Sequence, residues 1–219
     1  KYLDEIDELA ERIGSVNVIV KKDGKLKGYN TDGEAFVRSW MNETKRPLET
    51  ITFFCFGAGG AGKAICTTLA YHGASKIYIT DKMNDMSATL SNNINKSFGS
   101  VAEQVVFIDK TAIKERIAQS DAVLNVSGIG MYPHLDETPV EKENLNSNQI
   151  IFDATYNPEM TKFLQEAKSI GCKVLNGKSM LVYAGALGYE ILTGRPAPVK
   201  KWFEVMDKVE KENRMRGDH

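Results

Sequence analysis

Three glycines, Gly57, Gly59 and Gly62, stand where the apolar run Thr52-Phe53-Phe54-Cys55-Phe56 breaks off and a helix-forming segment begins. Their G-x-G-x-x-G spacing is that of a tight turn in which a backbone can approach a diphosphate. The free amides and the dipole at the following helix start favour the negative charge. The spacing alone is a weak signal, and the strand before it and the helix after it supply the context. Gly57, Ala58, Gly59, Gly60, Ala61 and Gly62 are therefore expected to cradle the diphosphate of a dinucleotide, against the alternative of a tight turn with no ligand. Asp81 ends the next apolar run, near the distance at which an acidic residue meets the adenosine ribose. Its carboxylate would accept from the 2′-hydroxyl and repel a 2′-phosphate, which favours NAD over NADP. Lys82 beside it partly offsets that repulsion, so NADP stays possible. The alternative for Asp81 is a cap on the helix that follows.

The elements that must position these residues alternate. Strands are expected at 52–56, 76–80, 104–108, 122–126, 150–154 and 173–175, with helices at 60–72, 83–97, 112–119 and 160–170 between them. This alternation predicts an α/β fold, a Rossmann-type doubly wound parallel sheet covered by helices on both faces. Two closing helices are expected at 180–192 and 199–212. The first part of the chain reads differently. A helix at 2–13 places Leu3, Ile6, Leu9, Ala10 and Ile13 on one face, and strands at 16–20 and 25–29 flank an Asp23-Gly24 turn. Thr31-Asp32-Gly33-Glu34 then opens a helix at 34–42. A polar connector containing Pro47 follows.

Bulk properties narrow the function. The 219 residues carry a formal net charge of −1, with no long basic stretch, which argues against nucleic-acid binding. A hydrophobic content of 42% and a charged content of 26% are those of a globular protein. No run is apolar enough to span a membrane. Cys55, Cys66 and Cys172 lack C-x-x-C spacing, and an odd number cannot all pair within the chain, which fits a reducing cytoplasm. His72, His134 and His219 are scattered, so no metal site is expected.

Several blocks recur in order: Asn30-Thr31-Asp32-Gly33, the glycine turn, Asn125 to Met131 followed by Pro133, Asp153-Ala154-Thr155-Tyr156-Asn157-Pro158 with Thr161, and Asn176-Gly177-Lys178-Ser179-Met180-Leu181. Together they resemble the shikimate dehydrogenase family, especially its quinate/shikimate dehydrogenase branch, over essentially the whole chain. The resemblance implies an enzyme that interconverts a ring hydroxyl and a ketone on a cyclic hydroxy acid, with NAD or NADP as hydride carrier. It implies that Asp32 is catalytic and contacts substrate, that Asn17 and Tyr156 bind substrate, and that Asn125, Gly130, Met131, Gly177 and Met180 border the cofactor. For Asp32 the alternative is a helix cap, for Asn17 a bond to local backbone, for Tyr156 a buried ring with one hydrogen-bond partner, and for Met180 core packing. The domain organisation implied is the remnant of an α/β substrate-binding domain at 1–45, a dinucleotide-binding domain at 46–195, and a helix at 196–219 packing back toward the first. A small-molecule substrate and a homodimer are expected.

Three departures bear on the substrate. The family's catalytic lysine stands in a Val-Pro-x-Lys type segment ahead of the first helix, and Lys1 does not match it. A fragment, incomplete for catalysis by itself, is therefore expected. Ala184 stands where the family usually places a glutamine, with Tyr183 beside it as a possible substitute, and Gly128 where many members have serine. These departures leave a rival reading, a non-catalytic dinucleotide-binding regulatory or vestigial domain. A weaker one is the same nucleotide fold acting on a folate or a tRNA-linked aldehyde.

Overall fold

The computed structural model describes residues 2–216; Lys1 and His219 lie outside the described residues. The central sheet has six strands: β4 (Thr52–Phe56), β5 (Lys76–Thr80), β6 (Ala102–Gln104), β7 (Ala122–Asn125), β8 (Ile150–Asp153) and β9 (Lys173–Leu175). All pairings are parallel and the spatial order is β6-β5-β4-β7-β8-β9. The strands therefore wind outward in both directions from the β4–β7 boundary, the kind of switch point at which open parallel sheets bind ligands.

The side-chain period of two explains why both faces are covered. On one face Phe53, Cys55, Ile77, Ile79, Ala122, Leu124, Ile150 and Phe152 enter one core cluster. Their neighbours Phe54, Phe56, Tyr78, Val123 and Ile151 enter the other. The first face is closed by α2 (Asp32–Thr44), α3 (Gly60–Tyr71), α4 (Asn84–Phe98) and α7 (Lys178–Thr193) through Phe36, Trp40, Leu69, Ile94 and Met180. The second is closed by α5 (Lys110–Ala118) and α6 (Lys162–Ser169) through Ile113, Ile117, Phe163 and Leu164. Each such side chain contributes about 1.5–3 kcal/mol when fully buried, so the sheet is a rigid platform for the loops at its carboxyl ends.

A smaller sheet precedes it, in the order β1 (Glu5–Ile6), β3 (Lys25–Tyr29), β2 (Val18–Lys22). The β2–β3 hairpin turns through Asp23 and Gly24, both at positive φ, as the sequence predicts. The expected helix at 2–13 is shorter. Glu5 and Ile6 pair with Lys27 and Gly28, and α1 (Glu8–Ile13) starts after Asp7, whose carboxylate accepts from the Leu9 N–H. An open strand edge and a good capping residue override the helical spacing there. The strand expected at 104–108 also moves, to β6. Val106 and Ile108 are exposed, and the Phe107 N–H donates to Asn84 Oδ1, so this apolar run forms a turn. The last helix, α8 (Val199–Arg216), packs on α7 through Trp202 against Tyr189 and Phe203 against Tyr183.

Candidate functional site

The glycine turn joins β4 to α3, and its three glycines serve different ends. Gly57 sits at φ +111, and a Cβ there would stand 2.8 Å from the Ser127 backbone nitrogen. A Cβ on Gly62 would overlap the Gly57 carbonyl oxygen. Both are required by the turn itself. A Cβ on Gly59 or Gly60 meets nothing within 4 Å, so the space before these residues is open. Gly59 is the N-cap of α3 and no side chain caps the helix. The first-turn amides of α3 thus face that space with no intrahelical acceptor. Open space and unpaired helix-start amides suit the diphosphate of a dinucleotide.

Asp81 follows β5 and braces the turn. One carboxylate oxygen accepts the Ala58 N–H at 2.7 Å, the other the Met83 N–H at 2.8 Å. It does not act as the N-cap of α4, a position held by Met83. A carboxylate has about four acceptor sites, so ribose hydroxyls can still be received.

The loops after β7 and β8 meet through a buried polar cluster. Asn125 is 1% exposed, and its amide is turned inward: it donates to Ile129 O and Asp153 and accepts from Ser127. Gly130, at φ +86, and the half-exposed Met131 follow it. Gly177 is the N-cap of α7 and lies against Ala154, so closely that a Cβ would overlap the Ala154 carbonyl oxygen. Met180 is buried in the first core cluster, and Tyr156 is half exposed on the loop after β8. Tyr183 turns its ring to Phe203. A cavity of about 300 Å³ between α6, β9, α7 and α8, lined by Met160, Leu164, Val174 and Phe203 among others, excludes Asn17, Asp32 and the glycine turn.

Asp32 and Asn17 come together at the start of α2. The Thr31 N–H donates to Asn17 Oδ1 at 3.0 Å and Asn17 Nδ2 donates to Thr31 Oγ1. The Asp32 N–H donates to Asn30 Oδ1, and Asn30 Nδ2 donates to Ser15 O. Thr31 holds the N-cap position, which leaves Asp32 as the first helical residue with its carboxyl not used as a cap. Burial pushes the Asp32 carboxyl above its ordinary value, and the Asn17 amide works against that rise. Gly33 brings this group onto α3, where a Cβ would overlap Thr68 Oγ1 and stand 2.6 Å from Ala64 O. The helix that starts at the glycine turn therefore also seats Asp32. Asn17→Ala is expected to raise the Asp32 pKa further, read by NMR titration of its carboxyl, because the hydrogen bond that lowers it is gone. An Asp32 titration unmoved by the substitution would contradict this coupling.

The parallel sheet, its switch point, the open glycine turn and the seated carboxylate define a Rossmann-type dinucleotide-dependent oxidoreductase. Comparison with known proteins makes this specific. No family model matches the sequence. A curated relative, the NADP(+) shikimate dehydrogenase of Bacillus cereus (strain ATCC 10987 / NRS 248), is 40% identical over 205 residues, covering 94% of this chain and 72% of the relative. Shikimate 5-dehydrogenase from Listeria monocytogenes, solved with shikimate and NAD, superposes with a TM-score of 0.88 at 32% identity, over 94% of this chain and 72% of that one. Quinate dehydrogenase from Corynebacterium glutamicum, solved with NAD, gives a TM-score of 0.85 at 28% identity, over 94% and 72%. The chain belongs to the shikimate dehydrogenase family.

Proposed function

We propose that the protein interconverts a ring hydroxyl and a ketone on shikimate, quinate or a close relative, with NAD preferred. The observation that carries this is the half-buried Asp32, its pKa raised, held beside Asn17 at the start of a helix docked on the one that opens at the glycine turn. A bound nicotinamide dinucleotide supplies the hydride acceptor. Asn17 and Asp32 receive the substrate hydroxyl, and the Asp32 carboxylate holds its proton as the carbon–oxygen double bond forms. The raised pKa moves Asp32 toward the range in which such a group exchanges protons. The amides of α3 and the open space at Gly59 take the diphosphate, while Gly177 and Met131 border the nicotinamide end. Three buried free cysteines favour a reducing, cytoplasmic setting. Among the described residues no helix is long and apolar enough to cross a membrane.

Initial rates of dinucleotide reduction by the full-length protein with shikimate and with quinate test the substrate. Turnover of at least one is expected, and none with either contradicts the reading. Asp81 supports NAD over NADP by repulsion of a 2′-phosphate. Asp81→Ala is expected to lower the NAD-to-NADP ratio of kcat/KM at least about tenfold, the equivalent of 1.4 kcal/mol. The ratio matters because losing the Ala58 contact weakens both dinucleotides alike. A ratio unmoved by the substitution removes Asp81 from cofactor choice.

A further inference from the structure

The block that ends β8 carries a carboxylate with no direct part in the proposed hydride transfer. Asp153 closes β8 and is 1% exposed. A carboxylate at such a place is strongly disfavoured unless donors converge on it, and burial does push its pKa up. The donors are all neutral and come from two segments, the end of β7 and the loop at 154–161. Oδ1 accepts the Thr155 N–H at 2.9 Å, and Oδ2 accepts the Thr161 hydroxyl at 2.8 Å and Asn125 Nδ2 at 2.9 Å.

Each donor leads to a different part of the site. Asn125 passes the link on to Ile129 O at 2.8 Å and to the Ser127 hydroxyl at 2.7 Å, and the Ser127 backbone lies against Gly57. Thr155 accepts the Gly177 N–H at 3.0 Å, just before α7, and precedes Tyr156. Thr161 caps α6 through the Leu164 N–H. One carboxyl therefore ties the loop beside the glycine turn to the loop that bears Tyr156.

We propose that Asp153 is a positioning residue for hydride transfer: it locks the loop at 126–131 to the loop at 154–161, so that the cofactor side and the substrate side of the site keep one spacing. The inference rests on the oxidoreductase reading. An apolar residue at the end of β8 could not gather these donors. Asparagine has nearly the same shape but only one acceptor oxygen, and its NH2 would face another donor. Hydride transfer suffers from such a slip, since a misplacement of about 1 Å far from the chemistry can cost about a hundredfold.

The test uses the full-length protein with Asp153→Asn, Thr161→Val and Thr161→Ser. It reads kcat per folded molecule and the Kd of NAD by calorimetry. Asp153→Asn and Thr161→Val are expected to lower kcat at least about tenfold and to weaken NAD about fivefold, because the loop beside Gly57 loses its anchor. Thr161→Ser, which keeps the hydroxyl donor, is expected to return both to within about twofold of the unmodified protein. Wild-type kcat and Kd in Thr161→Val, or Thr161→Ser as defective as Thr161→Val, overturns the proposal. A purely structural role would lower Tm alone and leave both constants in place. If Asp153→Asn does not fold, the Thr161 pair still decides. If the unmodified protein binds NAD but turns over neither shikimate nor quinate, the functional reading fails while the Kd series still decides the clamp.

Discussion

Asp32→Asn is expected to lower kcat by about 10²–10⁴-fold, the contribution of a positioned proton-transfer group. Dinucleotide affinity should change little, because the glycine turn and Asp81 are untouched. The same substitution is expected to raise Tm slightly at neutral pH. Burial raises the folded-state pKa of Asp32 above its ordinary value of 3.8. Between 3.8 and that raised value the folded state holds more protons than the unfolded state, so stability falls as pH rises through the window. Above the window the penalty is fully present, and below it the penalty vanishes. Removing the charge should therefore stabilise at neutral pH and do nothing in acid. The effect is small because Asp32 is still partly exposed and solvent screens it. Full turnover in Asp32→Asn would remove the carboxylate from the chemistry. Lost turnover together with lost NAD binding would show damage to the fold instead.

Gly59→Ala and Gly62→Ala should separate ligand binding from folding. At Gly59 the backbone is extended, at φ −72 and ψ −160, and a methyl group meets no protein atom within 4 Å. Stability should fall by less than about 1 kcal/mol, the scale of changing a helix cap residue. The methyl occupies the space assigned to the diphosphate, so NAD affinity should fall at least about tenfold. At Gly62 the methyl overlaps the Gly57 carbonyl oxygen. The turn must open or α3 must shift, at a cost of about 3 kcal/mol, the upper end for an overpacked site. Chemical denaturation and calorimetric titration of both variants check the pair. A stable Gly59→Ala that binds NAD normally would place the diphosphate elsewhere.

The glycine turn was legible because its signal is local: a strand, three glycines at fixed spacing and a helix. The two-faced sheet was legible for a related reason, since continuous apolar runs such as Thr52–Phe56 serve both core clusters. Elements that depend on distant partners were not. Glu5 and Ile6 pair with β3 only because its edge lies open to them, and the run after Gln104 leaves the sheet to meet Asn84. The site divides in the same way. Spacing and charge pointed to Asp81, while Asp32 and Asn17 came from the resemblance, and the hydrogen bonds that tie Asn17 to Thr31 emerged only in three dimensions. Asp153 was part of a recognised block without a role. A buried charge at a strand's end could have flagged it, but its donors at Asn125, Thr155 and Thr161 meet only once β7 and β8 lie side by side. The inward amide of Asn125 was equally invisible, and the structure gives it to the protein's own loops rather than to open space.

Asp32 and the glycine turn are proposed to act as one site, in which hydride would pass from a ring carbinol to a bound nicotinamide. Giving the full-length protein NAD and shikimate or quinate deuterated at the reacting carbinol carbon tests this. NMR of the reduced cofactor then shows where the deuterium goes. One deuterium is expected on the nicotinamide ring, with a slower rate than for unlabelled substrate and loss of the product in Asp32→Asn. Reduced cofactor without deuterium, or label transfer undiminished in Asp32→Asn, would contradict it.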